Sequence, residues 1–229
     1  MYKEVNVIII AMQEEFSAFI DLLDVPYSIV NIEGERGISF KKNDEAYLAL
    51  RGKVGKVSTA FFIGCLSREY HIKRIFNIGT SGAYNKDLNI GDIVIATKVI
   101  YHDVDVTKFS YEIGQVPGFP KMYECDISYI KEKKLNQQEN FKIVYGLISS
   151  GDSFVTKDNV NNFYISELNP LAIEMESTTV GQCAYLLKIP FIVVRSISDC
   201  IFTNDENNYS DDNTLIASRN CAKVLISLL

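Results

Sequence analysis

The sequence predicts an α/β protein, and two features of the chain support this fold class. Nearly continuous runs of β-branched and other apolar residues, as at 5–11 and 190–194, are typical of parallel strands that are buried on both faces. Segments with apolar residues at helical spacing separate such runs. Because no linker, repeat or low-complexity segment interrupts the 229 residues, we expect a single domain over residues 1–229.

The composition favours a small-molecule ligand and no cofactor. The net charge of −6 argues against binding to nucleic acid or to an anionic membrane, since neither attracts an acidic surface. The five cysteines are scattered and lack CxxC spacing, which argues against a disulfide framework and a structural metal and favours a cytoplasmic location. The chain has no run of 18 apolar residues, so we expect neither a membrane span nor secretion.

The first predicted strand, 5–11, ends in polar residues at a strand-to-helix junction. Glu14 and Glu15 stand in the first turn of the following helix, where the helix dipole favours acids, and this placement alone would explain them. Phe16 and Phe19 continue the helix at 3.6-residue spacing. Turn residues then separate predicted strands at 27–32, 38–41 and 46–50, which we interpret as antiparallel strands at a sheet edge.

A glycine- and lysine-rich segment, 51–57, opens the second predicted helix. Its glycines are too close together for a GxxxxGK[ST] phosphate loop, and a valine follows Lys56, so we exclude a nucleoside triphosphate site. We interpret Arg51, Lys53 and Lys56 as surface residues. The predicted apolar face of this helix consists of Ala60, Phe61, Gly64, Cys65 and Leu66.

The strand predicted at 75–78 ends in small and hydroxyl-bearing residues, 79–83, which allow a ligand to approach the backbone. The GxGxxG spacing of a dinucleotide site is absent there. Another strand, 93–98, leads towards His102, Asp103 and Asp105. These three residues lack further ligands at a recognised metal spacing, so we favour a turn or interface network over a metal site.

The second half of the chain continues this alternation of strands and helices. An aromatic and proline-rich stretch, 109–123, is interpreted as a lid or a subunit contact, and a surface helix at 127–135 precedes a strand at 141–149. A helix at 175–187, a strand from Phe191 and a closing helix at 211–229 complete the chain. The predicted buried face of the closing helix consists of Leu215, Ile216, Cys221, Val224, Leu225 and Leu228.

Charged residues at two places in the second half are costly to bury and therefore need partners. Glu174 and Glu176 follow the short apolar run 171–173, and an apolar strand delivers Arg195 and Asp199 to its carboxyl end, the end that faces a ligand crevice in open α/β sheets. A helix cap together with a salt-bridged arginine would satisfy these charges without any function. The hydroxyl groups of a sugar would satisfy them as well.

Nine segments, in chain order, resemble the 5'-methylthioadenosine/S-adenosylhomocysteine nucleosidases of the purine nucleoside phosphorylase and uridine phosphorylase superfamily. They are AMQEE (11–15), GKV (55–57), NIGTSG (77–82), GDIV (91–94), YHDVDVT (101–107), GQVPG (114–118), SGDSF (150–154), EME (174–176) and RSISD (195–199). The resemblance covers nearly the whole chain. It implies a three-layer α/β/α sandwich around a twisted mixed β-sheet, a homodimer, and hydrolysis of the bond between adenine and a 5'-thio-substituted ribose.

The implied reaction needs a general acid and a base, because adenine must not leave as a bare anion and the attacking water must lose a proton. By similarity, Asp199 is the acid that protonates N7 of adenine, and Glu15 is the base. Glu176 is implied to bind the ribose hydroxyls, with Met175 against the sugar and Arg195 orienting the water and the carboxylates.

The remaining implied positions form the substrate pocket and its subunit contact. Phe154 and Val155 resemble the adenine slot. The ribose side is implied to include Thr80, Ser81 and Gly82. Glu174 is implied to support the carboxylate cluster at Arg195, and Ser198 to belong to the substrate-binding residues. An apolar wall around the 5' substituent is implied to consist of Met12, Val54, Phe109 and Tyr209, while the segment that reaches a neighbouring subunit carries Val106 and Pro117.

Three alternatives remain open at the level of the sequence. A nucleoside phosphorylase of the same fold would need a cationic phosphate site, for which only Arg195 stands in a matching place. A nucleosidase for another 6-aminopurine nucleoside, such as 5'-deoxyadenosine or an aminodeoxyfutalosine, would also use Asp199. A catalytically silent nucleoside-binding protein would not need Glu15, Glu176 and Asp199 together.

Overall fold

The computed structural model describes residues 3–133, 135, 140–205 and 207–229. Within these ranges no helix combines the length and the apolarity needed to span a bilayer. The strands are β1 (Lys3–Ile10), β2 (Tyr27–Ile32), β3 (Glu35–Lys42), β4 (Glu45–Arg51), β5 (Tyr70–Ala83), β6 (Ile93–Tyr101), β7 (Tyr123–Glu124), β8 (Ile143–Ser150), β9 (Ala172–Glu174) and β10 (Phe191–Cys200). The α-helices are α1 (Gln13–Leu22), α2 (Lys56–Glu69), α3 (Ile127–Glu132), α4 (Ile165–Leu168), α5 (Ser177–Leu187) and α6 (Asp211–Leu228).

The strands form one mixed sheet in two parts that share β5. One part runs from β5 through β1 and β4 to β3 and β2, and its last three strands are the antiparallel edge that the sequence predicted. In the other part β5 pairs with β10, β10 with β6, β6 with β8, β8 with β9, and β9 again with β5. These five strands therefore close into a ring, and β7 pairs with β6 at Lys98 and Val99, beyond the residues of β6 that pair with β10.

Alternation along the central strands directs side chains into two separate cores. Val7 and Ile9 of β1 pack in the core that includes α2 and α5, whereas Ile8 and Ile10 pack in the core that includes α1 and α6. Both faces of β1 are thus buried, as its continuous apolar run predicted. The expected three-layer α/β/α arrangement around a mixed sheet is confirmed.

The helices and strands lie where the sequence predicted them, but several of them begin or end at other residues than predicted. β5 extends from Tyr70 to Ala83, so the segment 79–83 is strand rather than turn. The surface helix predicted at 127–135 ends earlier, at Glu132, and residue 134 of that prediction lies outside the described ranges. Glu174 and Met175 precede α5, which begins at Ser177 rather than at residue 175.

The predicted apolar face of α2 is wrong except at Leu66, which is fully buried. Phe61 is 52% exposed and Ala60 and Gly64 are exposed as well, whereas the buried face consists of Thr59, Phe62, Ile63 and Leu66. Apolar residues surround most of this helix, so periodicity alone cannot select the side that meets the sheet. In α6 the prediction is wrong for Leu215 and Ile216, which are 44% and 48% exposed, because the helix turns Ala217, Ser218 and Ala222 inward instead. The other four predicted residues of this face are buried.

Candidate active site

A cavity lies where β1, β5, β8, β9 and β10 end, and it brings together most of the residues that the sequence singled out. The segments that line it come from both halves of the chain. The predicted site residues on its wall are Met12, Glu15, Val54, Thr80, Gly82, Phe154, Val155, Glu174, Met175, Glu176, Arg195, Ser198 and Asp199.

Glu15 is buried at this cavity, and three donors hold its carboxylate. The backbone N–H of Met12 donates to Oε2 at 3.1 Å, which also fixes the start of α1. The backbone N–H and the hydroxyl of Thr80 donate to Oε1 at 2.8 and 3.1 Å. A Cβ at Gly79 would lie 2.8 Å from Oε1, so only glycine permits this close approach of the carboxylate to β5. The donors leave Glu15 with one fixed orientation towards the cavity.

Glu174 combines the two structural roles that the sequence offered as alternatives to function. Its carboxylate accepts the backbone N–H groups of Glu176 and Ser177, both at 2.9 Å, and thereby caps the start of α5. The hydroxyl of Ser150 also donates to it. Nη2 of Arg195, a residue only 1% exposed, forms an ion pair with the same carboxylate. Glu174 therefore holds the strand ends and Arg195 together.

Glu176 has fewer partners than Glu174 and faces the cavity. The backbone N–H of Gly55 donates to Oε1 at 2.9 Å, and Arg195 Nη2 lies 3.4 Å from Oε2. Burial and the adjacent Glu174 carboxylate raise the pKa of Glu176, although Arg195 opposes this. The raised pKa favours the protonated form, which can both donate a hydrogen bond to the hydroxyl groups of a ligand and accept one from them.

Asp199 reaches the cavity because β10 contains a bulge between Ile197 and Asp199. Regular alternation would send neighbouring residues to opposite faces, whereas here Ser198 and Asp199 both line the cavity. Burial raises the pKa of Asp199, and the Ser198 hydroxyl, which donates to Oδ1 at 2.8 Å, partly opposes this. Gly82 leaves room for the carboxyl group, since a Cβ there would lie 2.8 Å from Oδ2.

Two loops that carry cavity residues are joined by a cluster that we call the Lys56–Asp103–Asp152 clamp. Lys56 Nζ lies 2.7 Å from Asp103 Oδ2, its backbone N–H donates to Asp152 Oδ1 at 2.9 Å, and the N–H of Asp152 donates to Asp103 Oδ2 at 3.0 Å. The Lys56 side chain is only 25% exposed, so its interpretation as a surface residue is wrong. Asp103 belongs to an interaction network, which is the alternative that we favoured over a metal site.

Four predicted residues do not line the cavity of the single chain. Phe109 is 71% exposed. Tyr209 is 53% exposed and lies beside the cavity residue Phe154, with 5.6 Å between the two ring centroids. Val106 and Pro117 lie on the 102–122 segment away from the cavity. Their assignment to a partner subunit remains a prediction.

The structure adds residues that the sequence did not single out. Ala11, Ser153, Ile173 and Ile201 complete the wall together with Ser81, which the family resemblance placed on the ribose side. Asn77 accepts from Arg195 Nη2 at 2.6 Å and from the Ser177 hydroxyl at 3.0 Å, so both residues support the guanidinium. Asn77 could have been found from the sequence, because it interrupts an otherwise apolar strand and a buried amide needs partners.

Comparisons with known proteins agree with this geometry. Residues 6–229 match the model of the phosphorylase superfamily. A 5'-methylthioadenosine/S-adenosylhomocysteine nucleosidase of Bacillus cytotoxicus is 35% identical over 211 residues, with 90% of this chain and 89% of that protein covered. A crystal structure of Streptococcus pneumoniae MTA/SAH nucleosidase in complex with 8-aminoadenine is similar at a TM-score of 0.86 and 30% identity, covering 99% of this chain and 98% of the other. Futalosine hydrolase of Helicobacter pylori is similar at a TM-score of 0.87 and 26% identity, covering 100% and 97%. The chain belongs to the phosphorylase superfamily and, within it, to the family of the 5'-methylthioadenosine/S-adenosylhomocysteine nucleosidases.

Proposed function

We propose that this protein hydrolyses the N-glycosidic bond of 5'-methylthioadenosine and S-adenosylhomocysteine, releasing adenine and the 5-thio-substituted ribose. The observation that carries the proposal is that Glu15, Glu176 and Asp199 are all buried and line one cavity. A carboxyl acid, a carboxylate base and a group for the ribose hydroxyls are what this reaction needs. Family membership at 35% identity supports the same conclusion.

In this proposal Asp199 is the general acid. Its raised pKa keeps the carboxyl group protonated at a higher pH than an exposed aspartate, so it can protonate N7 of adenine as the bond breaks. Phe154 and Val155 lie on the same cavity wall and would form the adenine slot. Protonation turns adenine into a neutral leaving group.

Glu15 is the proposed base, and Glu176 binds the ribose. The donors from Met12 and Thr80 hold Glu15 in place, so that a water between it and the sugar can be deprotonated without rearrangement of the carboxylate. Negative charge at this end of the cavity also stabilises the positive charge that develops on the sugar ring. Met175 would pack against the sugar.

Phosphorolysis is disfavoured by the charges around the cavity. Arg195 is the only cation among the described residues on the cavity wall, and both Glu174 and Glu176 lie against it. A phosphate ion would bring about two further negative charges close to the carboxylates of Glu15 and Glu174 on the cavity wall, where like charges repel strongly. Water carries no such penalty and is therefore the proposed nucleophile.

Another 6-aminopurine nucleoside is the second candidate substrate. The similarity to a futalosine hydrolase favours keeping it, because the proposed acid recognises the purine and not the 5' group. Neither substrate would change the roles of Glu15 and Asp199.

The test is to incubate the purified protein with 5'-methylthioadenosine, S-adenosylhomocysteine, 5'-deoxyadenosine and aminodeoxyfutalosine in phosphate-free buffer and to measure free adenine or the corresponding base. Release of adenine together with a reducing sugar from the two thio-nucleosides is expected. Phosphate-dependent formation of a sugar 1-phosphate would replace this proposal with a phosphorylase.

We further propose a homodimer in the cytoplasm. The exposed apolar residues of α2 support the dimer, since Val57 is 80% and Phe61 52% exposed, and apolar patches of this kind mark subunit contacts. Phe109, Val106 and Pro117 would then contact the neighbouring subunit. The five cysteines are all free, which fits a reducing compartment.

A further inference from the structure

A second, polar cleft adjoins the candidate active site at its apolar 5' end. Ala11, Met12 and Val54 line both spaces and form the boundary between them. The far side of the second cleft, which we call the polar 5' cleft, consists of Gln13, Glu14, Glu35, Arg51, Gly52 and Lys53. We propose that this cleft binds the zwitterionic amino-acid end of S-adenosylhomocysteine; the inference rests on the proposed function.

The proposed placement of the substrate in the cavity brings its 5' end to the boundary with this cleft. With adenine at Phe154 and Asp199 and the ribose at Glu176, the 5' sulfur lies against Met12 and Val54. The apolar side chains of these two residues can pack against the methyl group, so 5'-methylthioadenosine needs no contact beyond them. The homocysteine of S-adenosylhomocysteine continues past the sulfur and carries a carboxylate and an ammonium group, which must reach polar partners or remain in water.

The cations of the polar 5' cleft are incompletely neutralised. Arg51 Nη2 lies 2.7 Å and Lys53 Nζ 3.0 Å from the two carboxylate oxygens of Glu35, so two positive charges share one negative charge. Both cations lower the pKa of Glu35, which therefore stays ionised near neutral pH. One positive charge is left over for the carboxylate of a ligand.

Hydrogen-bonding capacity also remains in the cleft. Arg51 Nε is buried and has no acceptor among the described residues, although Nη1 donates to Gln13 Oε1 at 2.8 Å. The Lys53 side chain is 68% exposed and can turn its ammonium group from Glu35 towards a ligand at little cost. Glu14, an exposed acid on the same cleft, supplies the partner for the ligand's ammonium group. Two cations and two acids thus match a zwitterion and not a neutral alkyl group.

The test compares three substrates on four proteins. The substrates are 5'-methylthioadenosine, S-adenosylhomocysteine and 5'-butylthioadenosine, which resembles the homocysteine chain in length but carries no charge. The proteins are the wild type, Lys53→Met, Arg51→Met and a control, Lys98→Met. The control removes an exposed lysine of β6 that pairs with Glu124 of β7. Adenine release gives kcat and KM for each pair.

We expect Lys53→Met to raise the KM for S-adenosylhomocysteine by about three- to tenfold without a change in kcat, because the contact is remote from the breaking bond and equally strong in the ground and transition states. The other two substrates and Lys98→Met should be unaffected. The selective effect should shrink at high salt, since the groups are partly exposed.

If the ratio of kcat/KM for S-adenosylhomocysteine and 5'-butylthioadenosine were the same in Lys53→Met as in the wild type, the inference would be wrong. This test does not depend on whether Arg51→Met folds. A wild-type protein that hydrolyses none of the three nucleosides would instead overturn the proposed function.

Discussion

The surroundings of Asp199 decide how readily its carboxyl group holds a proton. This residue lies near the end of β10, is 5% exposed, and has the Ser198 hydroxyl as its hydrogen-bond partner. Burial without a cationic partner favours the protonated form, which is the form that a general acid needs.

Replacement of this group tests the proposed acid directly. We expect Asp199→Asn to lower kcat by about 100- to 10,000-fold, because an amide cannot protonate adenine. Binding of a non-hydrolysable adenine nucleoside analogue, measured by calorimetry, should be largely retained. The chemically matched change Asp21→Asn, at an exposed residue of α1 outside the cavity wall, should cost far less. An Asp199→Asn protein with wild-type turnover would remove Asp199 from the mechanism.

The neighbouring serine allows a test of pH dependence. Asp199 acts while it is protonated, so kcat/KM should fall as the pH rises through its pKa. The Ser198 hydroxyl lowers that pKa by stabilising the carboxylate, and Ser198→Ala should therefore raise the pKa and move the alkaline fall to higher pH. Ser128→Ala, which removes a comparable hydroxyl beside Asp126, serves as the control. A shift to lower pH in Ser198→Ala would contradict the assignment.

At the scale of elements, the site depends on loops that are tied to one another. The Lys56–Asp103–Asp152 clamp joins the start of α2 to the turn after β8. Gly55, next to Lys56, donates to Glu176, and Phe154 and Val155 follow Asp152 closely. A Cβ at Gly151 would lie 2.9 Å from Asp103 Cγ, so the turn also requires glycine there. The clamp thus positions groups for both the ribose and the adenine.

We expect Asp103→Ala to raise KM and lower kcat together, with a loss in kcat/KM of up to about 100-fold, because small displacements of substrate-positioning groups are costly. Asp103→Asn retains an acceptor for the Asp152 N–H and should recover part of the loss. Lys56→Arg should retain more activity than Lys56→Met. If the thermal midpoint fell while kcat and KM stayed unchanged, the clamp would be structural only.

At the scale of the whole molecule, a substitution on the exposed side of α2 tests whether the protein is a dimer. We expect Phe61→Glu to weaken the dimer and to reduce activity at low protein concentration, since the proposed contact would bury a carboxylate. Ile29→Glu, at an apolar residue of the edge strand β2 that is even more exposed than Phe61, should leave the dimer intact. Sedimentation analysis of both variants at assay concentration provides the measurement. A fully active wild-type monomer would refute the dimer.

The sequence by itself determined the fold class, the order of the elements and which strand ends carry chemical groups. These features are local: continuous apolar runs identify strands buried on both faces, and a parallel sheet gathers their polar ends at one edge. For this reason Glu15, Glu176 and Asp199 could be placed near one another before any coordinates were known. The family resemblance implied a twisted mixed sheet, whereas the order of its strands was not predicted.

Only the tertiary structure decided which groups oppose one another and in what orientation. The ring of five strands, the bulge that turns both Ser198 and Asp199 to the cavity, and the buried side of α2 depend on contacts between distant segments. The Lys56–Asp103 pair joins residues 47 positions apart, and the Arg195–Asn77 contact joins residues 118 positions apart. Hydrophobic periodicity reports how a segment faces a core, but it carries no information about which distant charge will neutralise another.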